Sequence, residues 1–460
     1  MIREDLLRTV RDLSARHDTK AFAELVESVH PSDMAEALET LKSRDVARLL
    51  PCLKAGALAE VFVYFSEERQ SRLLQELPRE TVVALFEGMA ADERVDLFHD
   101  LDEAARQRLL PALAHGERED ILRLAAYAEG SVGSVTTSDY VAVLPDMSVA
   151  QALAHVRATA ADKETIYVIY VQDKEGHLCG TLSLRELLLA DDSLTIRNIM
   201  RRDPVFARAQ WPRSKASELI GRYDLLALPV INGGEKMVGI VTVDDAMDVI
   251  EEETTEDFEK MAAMLPSDKP YLKTSIFSTW KARLPWLMVL MLSATFTGMI
   301  LNHYESKLAA CLVLNAYIPM LSGTGGNSGT QASVAVIRAL SLDEVDFSDI
   351  LQVLWKELRV SFLCGVCLAA ANFVKMLLVD RMLLGNDAVN FTVCAVVCLT
   401  ILFVVIFAKC VGCCLPLLAE KVGLDPAVMA SPFITTIVDA TSLLIYFALA
   451  SALIPALHTM

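Results

Sequence analysis

Positive charge is scarce in this sequence. Its 460 residues include 42 Lys and Arg against 60 Asp and Glu, which gives a formal net charge of −18. A surface of that sign repels nucleic acid and anionic lipid headgroups and attracts cations. We therefore expect no nucleic acid among the partners of this protein.

Charged residues of either sign become rare after Leu284, and 53% of the whole chain is hydrophobic. This combination predicts two solvents, with an acidic soluble half followed by a half embedded in a lipid bilayer. The N-terminal stretch MIREDLLRTVRDLSARHD lacks the apolar core and the small-residue cleavage site of a signal peptide. That absence predicts that the soluble half stays in the cytoplasm.

Cysteine is almost missing from the soluble half, which contains only Cys52 and Cys179 of the ten cysteines. Such a small number argues against a disulfide-stabilised scaffold. The other eight lie in or beside apolar runs, and we interpret them as reduced packing residues. Cys410, Cys413 and Cys414 form a C-x-x-C-C motif, but no second Cys or His cluster completes the four ligands that zinc needs.

A twelve-residue repeat organises the first part of the chain. Apolar pairs recur at that interval, from Leu25 and Val26 to Leu109 and Leu110. Each unit holds about two helical turns and a connection. One unit cannot bury its apolar stripe alone, so the repeat predicts a helical solenoid over residues 1–130.

The pattern then changes to a duplicated unit. The segment TIYVIYVQDKEGHLCGTLSLRELLLA matches LLALPVINGGEKMVGIVTVDDAMDVI in form, with Gly180 corresponding to Gly239. Each copy predicts a strand, a turn, a second strand and an amphipathic helix. The two copies resemble a tandem pair of CBS domains, which are regulatory modules that usually sense a nucleotide or an ion. We place the first at residues 131–197 and the second at 198–253.

An acidic helix is predicted from Val243 to Met264, and a connecting segment at residues 254–282 leads to the membrane domain at 283–460. Five apolar segments follow, each with at least the roughly 20 residues that a helix needs to cross hydrocarbon. They lie at about 284–302, 308–338, 357–379, 391–418 and 427–457.

With the N-terminus inside, most Lys and Arg residues of this half fall on inner loops, as the positive-inside rule requires. The sequence therefore predicts a multidomain protein of the cell (inner) membrane, built from an α-helical solenoid, an α+β CBS pair, a connecting acidic helix and a five-helix transmembrane bundle. Its C-terminus is expected outside.

A carboxylate falls in the middle of the last apolar segment. An ionised Asp439 at the bilayer centre would cost about 2.5 to 3.5 kcal/mol on insertion scales. One explanation is a structural hydrogen-bond partner in the bundle, or a protonated acid. The other is that Asp439 faces a water-filled path and binds a cation, as intramembrane acids often do.

Small and amide residues interrupt the second apolar segment at SGTGGNSGTQ, residues 322–331. Its four glycines allow close helix packing, and Asn327 and Gln331 lie one turn apart on a shared face. Either the amides join helices to one another, or they line a polar path. A phosphate-binding loop is excluded because no Lys-Ser or Lys-Thr follows and Ser328 replaces the last glycine of G-x-G-x-x-G.

Together these features resemble the MgtE-type family of magnesium channels and transporters over nearly the full chain. The most specific stretches are IPMLSGTGGNSGTQASVAVIRAL and GLDPAVMASPFITTIVDATSLLIYF. The resemblance implies a homodimer whose pore is lined by the second and fifth spans, with hydrated Mg²⁺ held at Asp439. The other pore-lining positions that it implies are Pro319, Gly325, Gly326, Asn327, Gln331, Ser431, Pro432, Thr435 and Thr436.

The family resemblance also implies regulatory Mg²⁺ sites in the cytoplasmic half. The matching positions are Asp92, Asp96, Asp224, Asp245, Asp248, Glu253, Glu256 and Asp257. Like charges at such spacing repel one another unless a cation screens them, so bound Mg²⁺ would draw the cytoplasmic parts together and close the pore. The alternative is an acidic face that is simply solvated.

Some positions depart from the family pattern. Arg213 and Lys215 stand where acidic residues are usual, Ser442 replaces a glycine and Thr330 stands where Asn is common. These differences concern the details of selectivity and gating.

No ATPase motif is visible in the sequence, and no enzymatic activity is expected. None is needed, because a membrane potential of 100 mV favours inward movement of a divalent cation by about 4.6 kcal/mol.

Two other functions remain open at the level of sequence. The first is a channel for other divalent cations, such as Co²⁺ or Mn²⁺. The second is a CBS-regulated membrane receptor or scaffold that moves no ion, although the chain offers no output module beyond its spans. ATP at the CBS pair is an alternative regulatory ligand.

Overall fold

The computed structural model describes residues 3–267, 271–272, 274–342, 344–429 and 431–457. The chain divides into two units, Met1–Glu251 and Glu252–Met460.

Short helices succeed one another in the N-terminal part, as the twelve-residue repeat predicts. They are α1 (Arg3–Arg16), α2 (Thr19–Ser28), α3 (Pro31–Glu39), α4 (Ser43–Leu49), α5 (Ala55–Val63), α6 (Glu67–Glu76), α7 (Arg79–Gly88), α8 (Ala91–Asp100), α9 (Glu103–Leu109) and α10 (His115–Leu124). Repeat positions such as Leu38, Phe62 and Leu85 are buried in one continuous core. Pro31 begins α3, where its missing N–H leaves no hydrogen bond unmade.

Two three-stranded sheets follow in the same unit. Their elements are β1 (Tyr140–Val143), α11 (Val149–Thr159), β2 (Thr165–Gln172), β3 (Leu178–Ser183), α12 (Leu184–Leu189), α13 (Ile196–Ile199), β4 (Ala207–Arg208), α14 (Arg213–Tyr223), β5 (Ala227–Ile231) and β6 (Met237–Thr242). In each sheet the first strand pairs in parallel with the second, and the second pairs antiparallel with the third. The duplicated pattern is therefore a duplicated fold.

The two corresponding glycines serve the same purpose in the two sheets. A Cβ atom at Gly180 would lie 2.6 Å from the carbonyl oxygen of Arg201, and one at Gly239 would collide with the carbonyl of Thr137. Backbone segments cross the third strand of each sheet at these points, through the isolated bridges Thr181 to Arg201 and Thr137 to Ile240. Only glycine leaves room for this approach.

Long helices dominate the C-terminal half. They are α15 (Val243–Met261), α16 (Ile276–His303), α18 (Ile318–Ser341), α19 (Ile350–Lys375), α20 (Phe391–Lys421) and α21 (Ser431–Leu453), with the short α17 (Glu305–Ala310) before α18. Within the described residues, four stretches are long and apolar enough to cross a membrane: Ile276–His303, Phe347–Leu383, Phe391–Lys421 and Pro426–Leu453. The Gly, Ser, Thr and amide residues of α18 make it less apolar than these four, although it has 24 residues.

Two predicted helix ranges need correction. The second span does not run from residue 308, because the chain leaves the helical conformation at Cys311 and passes through a 3-10 segment, Leu312–Tyr317. Pro319 lacks the N–H that a continuous helix would need there, so α18 begins one residue before it. The helical region of the connecting segment ends at Met261, followed by Ala263 with φ 54°, and α16 begins at Ile276.

Candidate ion pathway and acidic clusters

Three of the four glycines of α18, at positions 325, 326 and 329, lie where other helices of the C-terminal unit approach closely. A Cβ atom at Gly325 would lie 2.6 Å from Val404 Cγ1 of α20 and 2.7 Å from Val438 Cγ1 of α21. At Gly326 it would lie 3.2 Å from Thr435 Cγ2. The sequence prediction of a close packing seam is consistent with this geometry, and the seam joins α18 to both α20 and α21.

The opposite face of α18 carries two amides and is exposed in the described part of the chain. Pro319, Gly323, Asn327 and Gln331 follow one another at intervals of four residues, and all four are exposed. The two amides therefore lie on a common stripe, as their spacing predicts. Hydrocarbon cannot satisfy an amide, so this face needs water or another protein surface in a membrane.

Asp439 connects α21 to α18. Its side chain is half-buried and accepts a hydrogen bond from the hydroxyl of Ser322. Ser322 was not among the predicted site residues, although it begins the stretch that drew attention to α18. One turn after Asp439, Ser442 is 2% exposed, and its hydroxyl has no hydrogen-bond partner among the described residues.

Two other predicted pore residues of α21, Thr435 and Thr436, face different neighbouring helices. Thr435 contacts the Gly326 position on α18. Thr436 lies toward α16 instead, because its Oγ1 is 3.3 Å from Ser293 Oγ, and it donates to the Pro432 carbonyl oxygen at 3.1 Å. The side chain of Ser431 lies outside the described residues.

In the N-terminal unit, four acidic side chains come together between α8 and the CBS pair. We call Asp92, Glu93, Glu164 and Asp245 the four-acid cluster. Sequence analysis selected Asp92 and Asp245 and missed Glu93 and Glu164. The short run of acids beginning at Asp92 is a signal for Glu93, whereas nothing in the local pattern distinguishes Glu164, which precedes β2.

The four-acid cluster is electrostatically unfavourable without a cation. Burial raises the pKa of Asp92 well above its ordinary range, and the negative charge of Asp245 raises it further. Burial raises the pKa of Glu93 to about 7, and burial also raises the pKa values of Glu164 and Asp245. Asp92 Oδ1 is buried without a hydrogen-bond partner in the described part of the chain. Carboxylate oxygens are ligands that Mg²⁺ accepts, but among the described residues these four side chains do not form a ready metal site.

A cationic pair lies beside these acids and joins α8 to the first CBS unit. Arg94 Nη2 lies 3.3 Å from Asp139 Oδ2, and Lys163 Nζ lies 3.4 Å from Asp139 Oδ1. Ala91 and Val95, on the same helix, are buried in an apolar cluster with Val238 of β6. Helix α8 is therefore docked on the CBS pair by apolar packing and by an ion pair.

A second acidic group lies near the end of α15. Lys260 bridges Glu256 and Asp425, with both N–O distances at 2.5 Å. Burial raises the pKa of Asp257, and the charge of Asp425 is the next cause. Asp425 was missed by sequence analysis, because a single acid in a loop carries no pattern. We call Glu256, Asp257, Lys260 and Asp425 the helix-end cluster.

The remaining predicted regulatory residues are more loosely placed. Asp96 and Asp248 are exposed on α8 and α15, and Glu253 is partly exposed on α15. Asp224 is exposed at the C-terminal end of α14, with φ 52°. In the described part of the chain, no group of three or more His, Cys, Asp or Glu side chains forms a ready metal site.

All ten cysteines are free thiols, including the exposed Cys367.

Comparison with known proteins gives these features a family. A model for the MgtE intracellular N domain matches residues 29–130, CBS domain models match residues 132–193 and 196–252, and a divalent cation transporter model named MgtE matches residues 318–449. The magnesium transporter MgtE of Thermus thermophilus is 35% identical over 456 residues, which cover 98% of this chain and 99% of that protein. The chain belongs to the MgtE family. The magnesium transporter MgtE of Bacillus subtilis is 30% identical over 437 residues, 95% of this chain and 94% of its own length.

Two solved structures resemble the cytoplasmic part of this MgtE family member. One is the soluble part of a magnesium transporter, with a TM-score of 0.52 and 28% identity, which covers 55% of this chain and 99% of that chain. The other is the cytosolic domain of the Mg²⁺ channel MgtE in complex with ATP, with a TM-score of 0.51 and 34% identity, which covers 53% of this chain and 99% of that chain. The family inferred from the sequence is confirmed.

Proposed function

We propose that this protein is a homodimeric, Mg²⁺-selective channel that imports Mg²⁺ down its electrochemical gradient and is closed by cytosolic Mg²⁺. The observation that carries the proposal is the place of Asp439, a carboxylate on an apolar helix that is hydrogen-bonded to Ser322 of α18. The relatives named magnesium transporters support Mg²⁺ as the ion. Because Mg²⁺ usually keeps several waters, one carboxylate from each subunit can hold it without a complete protein cage.

The exposed amide stripe of α18 supports a path shared by two copies. Asn327 and Gln331 would face hydrocarbon in a single chain, which is unfavourable because their hydrogen bonds would be unmade. A second copy placed against this face would let both stripes border the same water. Asp439, Asn327, Gln331 and the exposed Gly323 would then line one polar route.

Inward movement needs no energy source within the protein. With the N-terminal half in the cytoplasm and the C-terminus outside, a membrane potential of 100 mV favours the inward passage of a divalent cation by about 4.6 kcal/mol. A passive pore with a gate therefore suffices, and the cytoplasmic acids supply the gate.

Regulatory Mg²⁺ would act by relieving repulsion between carboxylates. In the four-acid cluster, the charge of Asp245 on α15 raises the pKa of Asp92 on α8, so a cation between them would stabilise the docked solenoid. In the helix-end cluster, Lys260 joins the end of α15 to Asp425 in the loop that precedes α21, and the charge of Asp425 raises the pKa of Asp257. Since α21 carries Asp439, ions bound at this cluster would restrain the pore helix.

Removing the charge of Asp439 tests the pore. We expect Asp439→Ala and Asp439→Asn to abolish Mg²⁺ influx into vesicles that contain the full-length protein, while expression and folding are retained. Asp12→Asn, at an exposed position of α1, is the matched control and should conduct like the unmodified protein. Normal influx through Asp439→Ala would refute the assignment of Asp439 to the ion path.

Influx measured in the same vesicles distinguishes a Mg²⁺-selective channel from a general divalent cation channel and from a receptor or scaffold. Competition by Co²⁺ or Mn²⁺ at concentrations equal to that of Mg²⁺ would indicate a general divalent cation channel. A protein that carries none of these ions would support a receptor or scaffold. Because one related cytosolic domain was solved with ATP, the cytoplasmic fragment should also be titrated with ATP in the presence and absence of Mg²⁺.

A further inference from the structure

Three side chains outside the residues discussed so far hold the beginning of α18. Tyr317, the residue before this helix, donates its phenol O–H to Asp380 Oδ2 at 2.9 Å. Lys375 Nζ lies 2.9 Å from the same oxygen and 5.3 Å from the centroid of the Tyr317 ring. Each of the three groups therefore contacts the other two. We call this arrangement the Tyr317 clamp.

The clamp depends on a change of helix type after α19. The chain continues from Lys375 into a π-helical segment, Met376–Leu383, which contains Asp380. In a regular α-helix, residues five apart point about 140° away from one another. A π-turn joins residues five apart instead, and so brings Lys375 and Asp380 to the same side of the helix. Such turns are rare and occur frequently at functional sites.

Helix α21 holds the same part of the chain from another side. The phenol O–H of Tyr446 donates to the carbonyl oxygen of Leu314 at 3.0 Å in a buried position. The 3-10 segment Leu312–Tyr317 is thus fastened to α21 through Tyr446 and to the end of α19 through Asp380. Tyr446 follows Asp439 by seven residues on α21, and Tyr317 precedes Ser322 by five residues, so the fastened segment lies about two helical turns from the Asp439–Ser322 contact.

The charges of the clamp indicate a mechanical role. Lys375 neutralises Asp380, and Tyr317 occupies the carboxylate oxygen that faces it, so the group is poorly suited to bind a cation itself. Tyr317 is 4% exposed and Leu314 is fully buried. A carboxylate accepts a stronger hydrogen bond than a neutral group does, which suits a contact that must hold a helix end in one place.

We propose that Asp380 is a positioning residue for ion transport, which fixes the first turn of α18 through Tyr317. This inference rests on the proposed function, in which α18 lines the ion path and its first turn lies at the outer mouth. Loss of the Tyr317–Asp380 bond lets that turn shift, so the mouth binds the arriving hydrated ion less well. Asp439 and the cytoplasmic acids keep their places.

The test is Mg²⁺ influx into magnesium-free vesicles that contain the full chain, measured over a range of external Mg²⁺ concentrations. We expect Tyr317→Phe and Asp380→Ala to raise the half-saturating Mg²⁺ concentration by about three- to tenfold, as the loss of one hydrogen bond to a charged group allows. Asp380→Asn keeps an acceptor for Tyr317 and should be affected less than Asp380→Ala. Tyr167→Phe, at a tyrosine that is 64% exposed in β2, is the matched control and should leave the half-saturating concentration unchanged.

Thermal unfolding of each purified variant separates positioning from a merely structural role. Retained unfolding temperatures with a raised half-saturating concentration would support the proposal. Unchanged half-saturating concentrations in Tyr317→Phe and Asp380→Ala would overturn it, whether or not their stability falls. If the unmodified protein conducts and the clamp variants behave like it, the clamp is refuted and the proposed function stands. If the unmodified protein shows no influx of Mg²⁺, the proposed function and the clamp both fail.

Discussion

Gly329 of α18 has no room for a side chain. A Cβ atom there would lie 2.6 Å from Ile434 Cγ2 on α21 and 3.1 Å from the Ala408 carbonyl oxygen on α20. At Gly323, on the exposed face of the same helix, a Cβ atom would meet nothing within 4 Å. The two glycines therefore occupy similar sequence surroundings but have different packing.

These two positions give a paired prediction. We expect Gly329→Ala to lower the free energy of unfolding by about 1 to 3 kcal/mol, because the added methyl group overpacks the seam. Gly323→Ala should leave stability unchanged or raise it slightly, since alanine favours a helix. Denaturation of the purified full-length protein in detergent measures both. Equal stability of the two variants would contradict the packing of α18 against α20 and α21.

At the scale of single residues, the sequence identified Asp439 because a carboxylate in an apolar helix is conspicuous by its cost. It could not identify Ser322 as the partner, since a serine in a membrane helix is ordinary. The amides of Asn327 and Gln331 were predicted to share a face, and they do. The direction of Thr436, toward Ser293 of α16, depends on the packing of a third helix.

Among the secondary-structure elements, α8 of the solenoid contacts the CBS pair through an ion pair and through apolar packing. Arg94 is 7% exposed and pairs with Asp139, which also pairs with Lys163. Ala91 and Val95 supply apolar packing on either side of it in sequence. The docked position of α8 is therefore partly independent of any bound cation.

Replacement of Arg94 tests this contact. We expect Arg94→Gln to lower the free energy of unfolding of the cytoplasmic fragment, residues 1–267, by about 1.5 to 3 kcal/mol, because a hydrogen bond between buried charged groups is lost. Arg72→Gln is the matched control, since Arg72 is exposed and lies 3.9 Å from Glu68. Its effect should stay within about 0.5 kcal/mol. Urea unfolding measures both, and similar losses would show that the Arg94 pair does not hold α8 in place.

Helix ends were harder to predict than helices. Pro31, Pro51, Pro78 and Pro111 mark several breaks of the solenoid, because proline acts on its own backbone. The start of α18 at Ile318 was misplaced, although Pro319 carried the necessary signal. The π-helical segment Met376–Leu383 has no sequence pattern of its own, and in the structure it carries the Asp380 carboxylate that accepts from Tyr317.

At the scale of the whole molecule, buried acidic side chains make the free energy of unfolding depend on pH. Burial raises the folded-state pKa of Glu93 to about 7, above the 4.5 of an unperturbed glutamate. The folded state therefore binds this proton more tightly than the unfolded state does. Its contribution to stability is present at low pH and is lost as the pH rises from about 4.5 to about 7.

We accordingly expect the cytoplasmic fragment in EDTA to lose part of its stability between pH 5.5 and pH 7.5, and Mg²⁺ to restore it at pH 7.5. Glu93→Gln should weaken the pH dependence, whereas Glu87→Gln, at an exposed position of α7, should not. Urea unfolding at the two pH values, with and without Mg²⁺, measures these effects. A pH dependence that is identical in Glu93→Gln and the unmodified fragment would contradict the role of Glu93.

The sequence by itself determined the order and type of the parts: a helical solenoid, two copies of a strand and helix unit, and a series of apolar helices with one carboxylate. Periodicity, turn residues and hydropathy act between near neighbours along the chain, so they can be read without a structure. Only the tertiary structure decided which distant groups meet, such as Glu164 with Asp92, Ser322 with Asp439 and Asp380 with Tyr317. Those meetings depend on how whole helices pack, and no local pattern records the distance between residues far apart in the chain.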